Sequence, residues 1–122
     1  MSESATAHLV LGRRGEHLAA RYLEHEGLVV LTRNWRCPEG ELDLVATDGR
    51  TLVVCEVKTR ASNRFGAPGE AVTDVKASRV RRLARRWLRV YRVELCELRF
   101  DIVAVLWPPG GLPELRHLRG VF

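Results

Sequence analysis

The spacing of apolar residues changes several times along the chain, and each change predicts an element. From Leu9 to about Glu26, Leu11, Leu18, Ala19, Tyr22 and Leu23 recur at helical spacing. Gly27 suits the end of that helix. Residues 1–8 read as a flexible, frayed start. Leu28 to Thr32 is a short β-type run, and Arg33 to Gly40, with Asn34, Pro38 and Gly40, reads as a loop. Glu41 to Thr47 alternates polar and apolar, as a half-buried strand does. Asp48-Gly49 predicts a two-residue hairpin turn, and Thr51 to Lys58 a second, more apolar strand. Residues 59 to 72 show no period and contain Gly66, Pro68 and Gly69; a connection that long is often functional. Thr73 is a good helix N-cap with Asp74 in the first turn. Val80, Leu83, Ala84, Trp87, Leu88 and Tyr91 then form one apolar stripe, in which Trp87 and Tyr91 read as core rather than as base-stacking residues. Phe100 to Leu106 is another strand, closed by Trp107-Pro108-Pro109-Gly110-Gly111, and the tail from Leu112 adds a last one. This order predicts the α/β class, with a central mixed β-sheet flanked by helices in a single domain, residues 1–122.

Length and composition narrow the function classes. At 122 residues the chain can bury one core, not two. No apolar run approaches the ~18 residues of a membrane span. The N-terminus has no basic segment followed by an apolar stretch, so no secretory signal is expected. Cys37, Cys55 and Cys96 are far apart, which excludes a zinc finger or disulfide framework and fits a reducing cytoplasm. Cys55 reads as a small buried hydrophobe. The net charge is +5, and eighteen of the twenty basic residues are Arg; only Lys58 and Lys76 are Lys.

The predicted hairpin places several charged residues. With Asp48 and Gly49 as the turn, Thr47 faces Arg50, Asp43 falls opposite Val54 and Glu41 opposite Glu56. Period-2 alternation then puts Glu41, Asp43, Glu56 and Lys58 on one face of the sheet. Three carboxylates against one ammonium are costly unless something compensates. Mg²⁺ or Mn²⁺ would: such a cation takes oxygen ligands, commonly one or two carboxylates plus substrate phosphate. It polarises a phosphoryl oxygen and lowers the pKa of a water, with Lys58 placed to orient that water or neutralise developing charge. Glu16, at the edge of the first helix's apolar face, points towards the sheet and suits a further metal or water ligand. The competing reading is an exposed sheet face with ion pairs worth ~0–1 kcal/mol each. In it Glu16 pairs with Arg13 or Arg14, and Glu41 with Arg36 or Lys58. Arg99 and Asp101 read as a structural ion pair at a strand start. His8, His17, His25 and His117 have no metal-ligand spacing.

The second helix carries Arg79, Arg81, Arg82, Arg85, Arg86, Arg89 and Arg92 with no acid between Arg79 and Arg92. That is not a mixed-sign solubility surface. A helix of ~18 residues is ~27 Å long and can track several phosphates. Lys76, Arg79, Arg82 and Arg86 are therefore candidate nucleic-acid-binding residues, as are Arg60 and Arg64 in the segment after Lys58.

Asp43 followed by Glu56-Val57-Lys58 resembles the PD-(D/E)xK nuclease signature in its form lacking the Pro. The wider set resembles the small bacterial YraN-type family, which is similar to archaeal Holliday-junction resolvases. It runs through Gly12-Arg-Arg-Gly-Glu16, Ala19-Ala20-Arg-Tyr-Leu23, Arg33-Asn34-Trp-Arg36, Gly40-Glu41-Leu-Asp43, Glu56-Val-Lys58-Thr-Arg60, Phe65-Gly66-Ala-Pro68, Lys76 and Arg99-Phe100-Asp101. The bare ExK is a weak motif; the ordered set over residues 12 to about 105 is specific. The resemblance implies a restriction-endonuclease-like fold and a Mg²⁺- or Mn²⁺-dependent nuclease acting on DNA, branched DNA included. It makes Asp43 and Glu56 metal ligands, joined by the Val57 carbonyl, and Lys58 catalytic. Glu16 matches the N-terminal acid of the resolvases, and Glu41 belongs to the family pattern as an accessory residue. A two-fold homodimer would fit a resolvase, which must make two symmetric cuts. The rival readings are a non-catalytic nucleic-acid-binding module, and an adaptor for a repair or uptake protein, on the same scaffold.

Overall fold

Local sequence preference and long-range pairing divide the fold between them, as a computed structural model describing residues 3–62, 73–94 and 97–122 shows. Helix α1 runs from Glu3 to His25, strand β1 from Val29 to Cys37, β2 from Gly40 to Thr47 and β3 from Thr51 to Arg60. Helix α2 spans Asp74–Val90, β4 Glu97–Leu106 and β5 Glu114–Leu118. The sheet order is β1-β2-β3-β4-β5. All neighbours are antiparallel except β3 and β4, which run parallel. Parallel neighbours need a crossover, and α2 lies within it. The molecule is therefore the α/β fold expected, a central mixed sheet with helices on its faces. No helix among the described residues is long and apolar enough to cross a membrane.

Each helix buries its stripe on one face. Val80, Leu83, Ala84 and Trp87 of α2 pack with Leu42, Val45, Leu52, Val54 and Phe100. Ala19, Ala20 and Leu23 of α1 pack with Leu44, Ala46, Cys55, Val103 and Val105. Thr73 caps α2, its Oγ1 accepting from Lys76 N at 3.2 Å. Trp87 is buried and its Nε1 donates to Thr32 Oγ1. Gly15 sets how closely α1 lies on β3, because any Cβ there would overlap the Thr59 side chain.

Four expectations change. The first helix begins at Glu3, so residues 3–8, expected to be frayed, are helical. Arg33–Cys37, expected as a loop, is strand: Arg33, Trp35, Arg36 and Cys37 pair with Leu44, Leu42, Glu41 and Gly40. Its loop-like residues are absorbed locally, Asn34 adopting a left-handed φ of 50°. The hairpin turn is longer than two residues. Thr47 pairs with Leu52 and Leu44 with Cys55, because Asp48 Oδ1 takes the N–H groups of both Arg50 and Thr51 and widens the turn. The register therefore moves by two residues, and Asp43 comes level with Glu56 rather than Val54. Finally, Glu41 does not face Glu56; it pairs with Arg36 on β1, Nε to Oε2 3.5 Å.

At the start of β4 the expected Arg99–Asp101 pair forms part of a larger network. Asp101 is fully buried and accepts from Arg99 Nε and Nη2, both at 2.9 Å, and from Gly120 N at 2.9 Å. His117 Nε2 lies 2.7 Å from its other oxygen, and the Tyr22 hydroxyl lies 3.0 Å from His117 Nδ1. Burial opposes ionisation of Asp101, but these donors outweigh it and hold its carboxyl below the usual range.

Candidate active site

The site begins where β2 and β3 stop pairing. Their ladder covers Leu44–Thr47 and Leu52–Cys55. Beyond it the N–H of Val57 donates instead to Asp43 Oδ2 at 2.9 Å. A side chain thus replaces a backbone partner, which is how a parting strand keeps a half-buried donor satisfied. The alternation of β2 also breaks here: Leu42 packs with the α2-side core and Leu44 with the α1-side core. Asp43, between them, is half-buried and within electrostatic reach of Glu16 on α1.

Asp43 and Glu56 are brought together, close enough for the Glu56 carboxyl to raise the pKa of Asp43. Burial, then the Glu56 carboxyl, push Asp43 up to about 7, against the pull of the Val57 N–H and Lys58. Close carboxyls oppose each other's ionisation, which adds to the effect of burial on Asp43. Lys58, two residues along β3, meets Lys76 from α2. Burial and then that second ammonium hold Lys58 down to about 8. Glu16 hydrogen-bonds to Asn34 and lies within electrostatic reach of Asp43 and Glu41; its pKa is raised, chiefly by burial.

Of the candidate residues, then, Asp43, Glu56, Lys58 and Lys76 form one contiguous group. Glu16 stands beside it. Arg60 follows along β3, exposed, with Nη1 donating to the Thr59 carbonyl. Arg79 and Arg82 are exposed on α2, while Arg86 is half-buried and paired with Glu39 at 2.5 Å. Arg64 lies outside the described residues. Asn34, the Val57 N–H and the contact between the two lysines were not foreseen. They arise from the pairing of β1, the parting of β2 and β3 and the docking of α2.

Among the described residues no group of three or more His, Cys, Asp or Glu side chains converges as a metal cluster. The arrangement offers two carboxyls rather than three. That donor set still fits Mg²⁺ or Mn²⁺, which usually take one or two protein carboxylates and complete their shell with water and phosphate oxygens. A cation there would offset the repulsion between the Asp43 and Glu56 carboxyls.

The raised Asp43 pKa has a consequence for stability. A carboxyl whose folded pKa lies above its unfolded value of 3.8 contributes stability below that value and loses it as pH rises through about 7. The metal-free protein is therefore expected to melt at a lower temperature at pH 8 than at pH 5. Asp43→Asn, a neutral mimic of the protonated acid, is expected to reduce that fall and to raise the pH 8 midpoint by about 4 °C. Thermal unfolding in EDTA measures this, and a pH 8 midpoint no higher in Asp43→Asn than in wild type would contradict it.

The profile described as "Uncharacterised protein family UPF0102" matches residues 15–105. A UPF0102 protein of Beutenbergia cavernae is 59% identical over 111 residues, covering 91% of this chain and 94% of that one. One from a Nocardioides species is 51% identical over 123 residues, covering 99% of each. One from Frankia alni is 54% identical over 112 residues, covering 92% and 93%. Among solved structures, Archaeoglobus fulgidus Hjc, a Holliday junction resolvase, is 16% identical with a TM-score of 0.45, covering 88% of this chain and 86% of that one.

Proposed function

The chain belongs to the uncharacterised protein family UPF0102, and we infer that it is a divalent-metal-dependent nuclease hydrolysing phosphodiester bonds in DNA, branched DNA included. The observation that carries this reading is the half-buried Asp43–Glu56 carboxyl pair beside Lys58 and Lys76. A structural ion pair would match the carboxyls one to one with cations, whereas here acid meets acid and ammonium meets ammonium. Such doubling raises the energy of the free protein, and a ligand that is positive on one side and negative on the other relieves it. A divalent cation carrying a phosphodiester has that form.

Asp43 and Glu56 would hold the cation, with the Val57 carbonyl as a further oxygen. The cation, when bound, supplies Lewis-acid polarisation of a phosphoryl oxygen and a lowered pKa for the attacking water. The Val57 N–H fixes the Asp43 carboxyl so that its orientation is set before substrate arrives. Lys58 would approach a non-bridging phosphate oxygen and neutralise charge developing on it. Its depressed pKa also lets it exchange a proton with the attacking water near pH 8. Lys76 would grip the same phosphate group from α2. Glu16, held by Asn34, would orient the water. The exposed Arg79 and Arg82, with Arg60, would hold flanking phosphates in a sequence-independent way. Two symmetric cuts at a junction would take a two-fold pair of chains.

The test is cleavage of a labelled four-way junction, linear duplex and single strand with Mg²⁺, Mn²⁺ or EDTA. Metal-dependent cutting is the expected result. Tight binding without cutting under every condition would replace the enzyme with a non-catalytic nucleic-acid-binding module.

A further inference from the structure

Resting on the nuclease reading, we propose that the cleft between the start of α1 and the turn after β4 binds one unpaired nucleobase of the DNA substrate. The cleft is open and has a volume of about 620 Å³, within the ~300–1,000 Å³ range of small-ligand sites. Val10, Leu11, Ala61, Trp107 and Pro108 give it apolar walls, and Arg14 lines it as well. Among the described residues that line it none is acidic.

The position follows from how α1 crosses the sheet. Gly15 seats the helix on Thr59 of β3. Residues to either side of it then reach in opposite directions. Glu16 reaches Asn34 on β1 and approaches Asp43 on β2. Arg14 reaches the other way and lies over the Trp107 ring, 4.1 Å from guanidinium to ring centroid. Trp107 is itself tied to the end of β3, its N–H donating to the Arg60 carbonyl at 2.8 Å. Arg60 is two residues, about 7 Å, beyond Lys58 along the strand. The cleft thus lies on the α1 side of the sheet past the end of β3, and Glu16 on the same helix links it to the carboxyl pair through its electrostatic reach to Asp43.

The chemistry selects the occupant. An indole with a guanidinium stacked on it is a platform for a planar, electron-rich ring. The apolar walls desolvate a base's faces but offer little to an isolated phosphate. Arg14, with the exposed Arg13 and Arg60 nearby, complements the charge of the backbone that such a base would carry. A base inside a duplex is paired and stacked, so it can enter only after extrusion, which costs extra energy. A base at a flap, a nick end or a branch point enters freely. The cleft therefore makes the site selective for DNA with an unpaired nucleotide.

The test uses the full chain in EDTA, so that binding is read without cleavage. Fluorescein-labelled 20-base-pair duplex and the same duplex with a single-stranded flap are compared by anisotropy. Wild type is expected to bind the flap more tightly. Trp107→Ala is expected to weaken flap binding about tenfold, in line with loss of one base stack, and to leave duplex binding unchanged. Trp107→Phe should retain most of the flap preference. Should Trp107→Ala fail to fold, Leu11→Glu blocks the same cleft from α1 and is expected to give the same loss. A 2-aminopurine in the flap should be quenched by wild type and not by the folded variants. Equal flap affinity in wild type and in the folded Trp107 and Leu11 variants would overturn the cleft proposal and leave the nuclease reading standing. So would variants that change only self-association, which would assign the cleft to a second copy. Failure of wild type to bind any DNA would overturn both.

Discussion

Asp43→Asn and Glu56→Gln are each expected to slow metal-dependent DNA cleavage by roughly 1,000-fold or more, while both proteins stay folded. The magnitude follows from what each change removes. Either substitution halves the anionic oxygen donors that would hold the cation, and removing one preorganised electrostatic partner of a reacting phosphate costs ~10²–10³ even when the rest of the site is intact. The fold survives because the pair opposes stability at neutral pH: Asp43 is pushed up to about 7 by burial and by Glu56. Losing activity while gaining or keeping stability separates a functional acid from a structural one. Lys58→Ala should lose less, about 100-fold, since Lys76 remains to meet the phosphate. Single-turnover cleavage with Mg²⁺, read beside circular dichroism, gives both quantities. Wild-type rates in both carboxyl variants would end the assignment of this site.

Asp101→Ala is expected to have the opposite profile. It removes an acceptor that binds Arg99 twice, Gly120 N once and His117 once, in a position with no solvent exposure. Deleting one member of a buried, hydrogen-bonded ionic group typically costs ~3–5 kcal/mol, because the partners are left without compensation. A domain of this size has only ~5–15 kcal/mol in total. The depressed pKa of Asp101 makes its contribution present above the ordinary aspartate value and lost as pH falls below it. Urea unfolding at pH 7 checks the loss; Asp101→Asn, which keeps the shape and one acceptor, should fall between wild type and Ala. An unchanged midpoint for Asp101→Ala would show that the network does not hold β4 and β5 together.

These two acids were not equally legible in the sequence. Asp43, Glu56 and Lys58 stand out because their spacing on adjacent strands survives a register error. The widened turn at Asp48 moves the pairing by two residues, and a two-residue shift returns each side chain to the same face. A one-residue shift would have dispersed them. The stripe of α2 and its Thr73 cap were readable for the same local reasons. Asp101 was readable only as half of an ion pair with Arg99, two residues away. Its bond to His117 depends on β5 lying against β4, with Val103 level with His117, and no local pattern encodes that. Strand β1 was hidden for a related cause: Asn34 and Gly40 favour turns, and only pairing with β2 overrides them.

The lone parallel ladder in the sheet bears on the order in which the candidate site is assembled. Thr51 pairs with Glu97, so β3 is secured to β4 only after some forty-five intervening residues have been made and α2 has folded over the sheet. The β2–β3 hairpin, by contrast, closes over a few residues. Contacts between distant residues form late, since the entropy of closing the chain is met before they contribute. A chain growing from the ribosome therefore holds its two acids on a hairpin well before Lys76 arrives beside Lys58. The meeting of Lys76 with Lys58 is therefore among the last features of the candidate site to form.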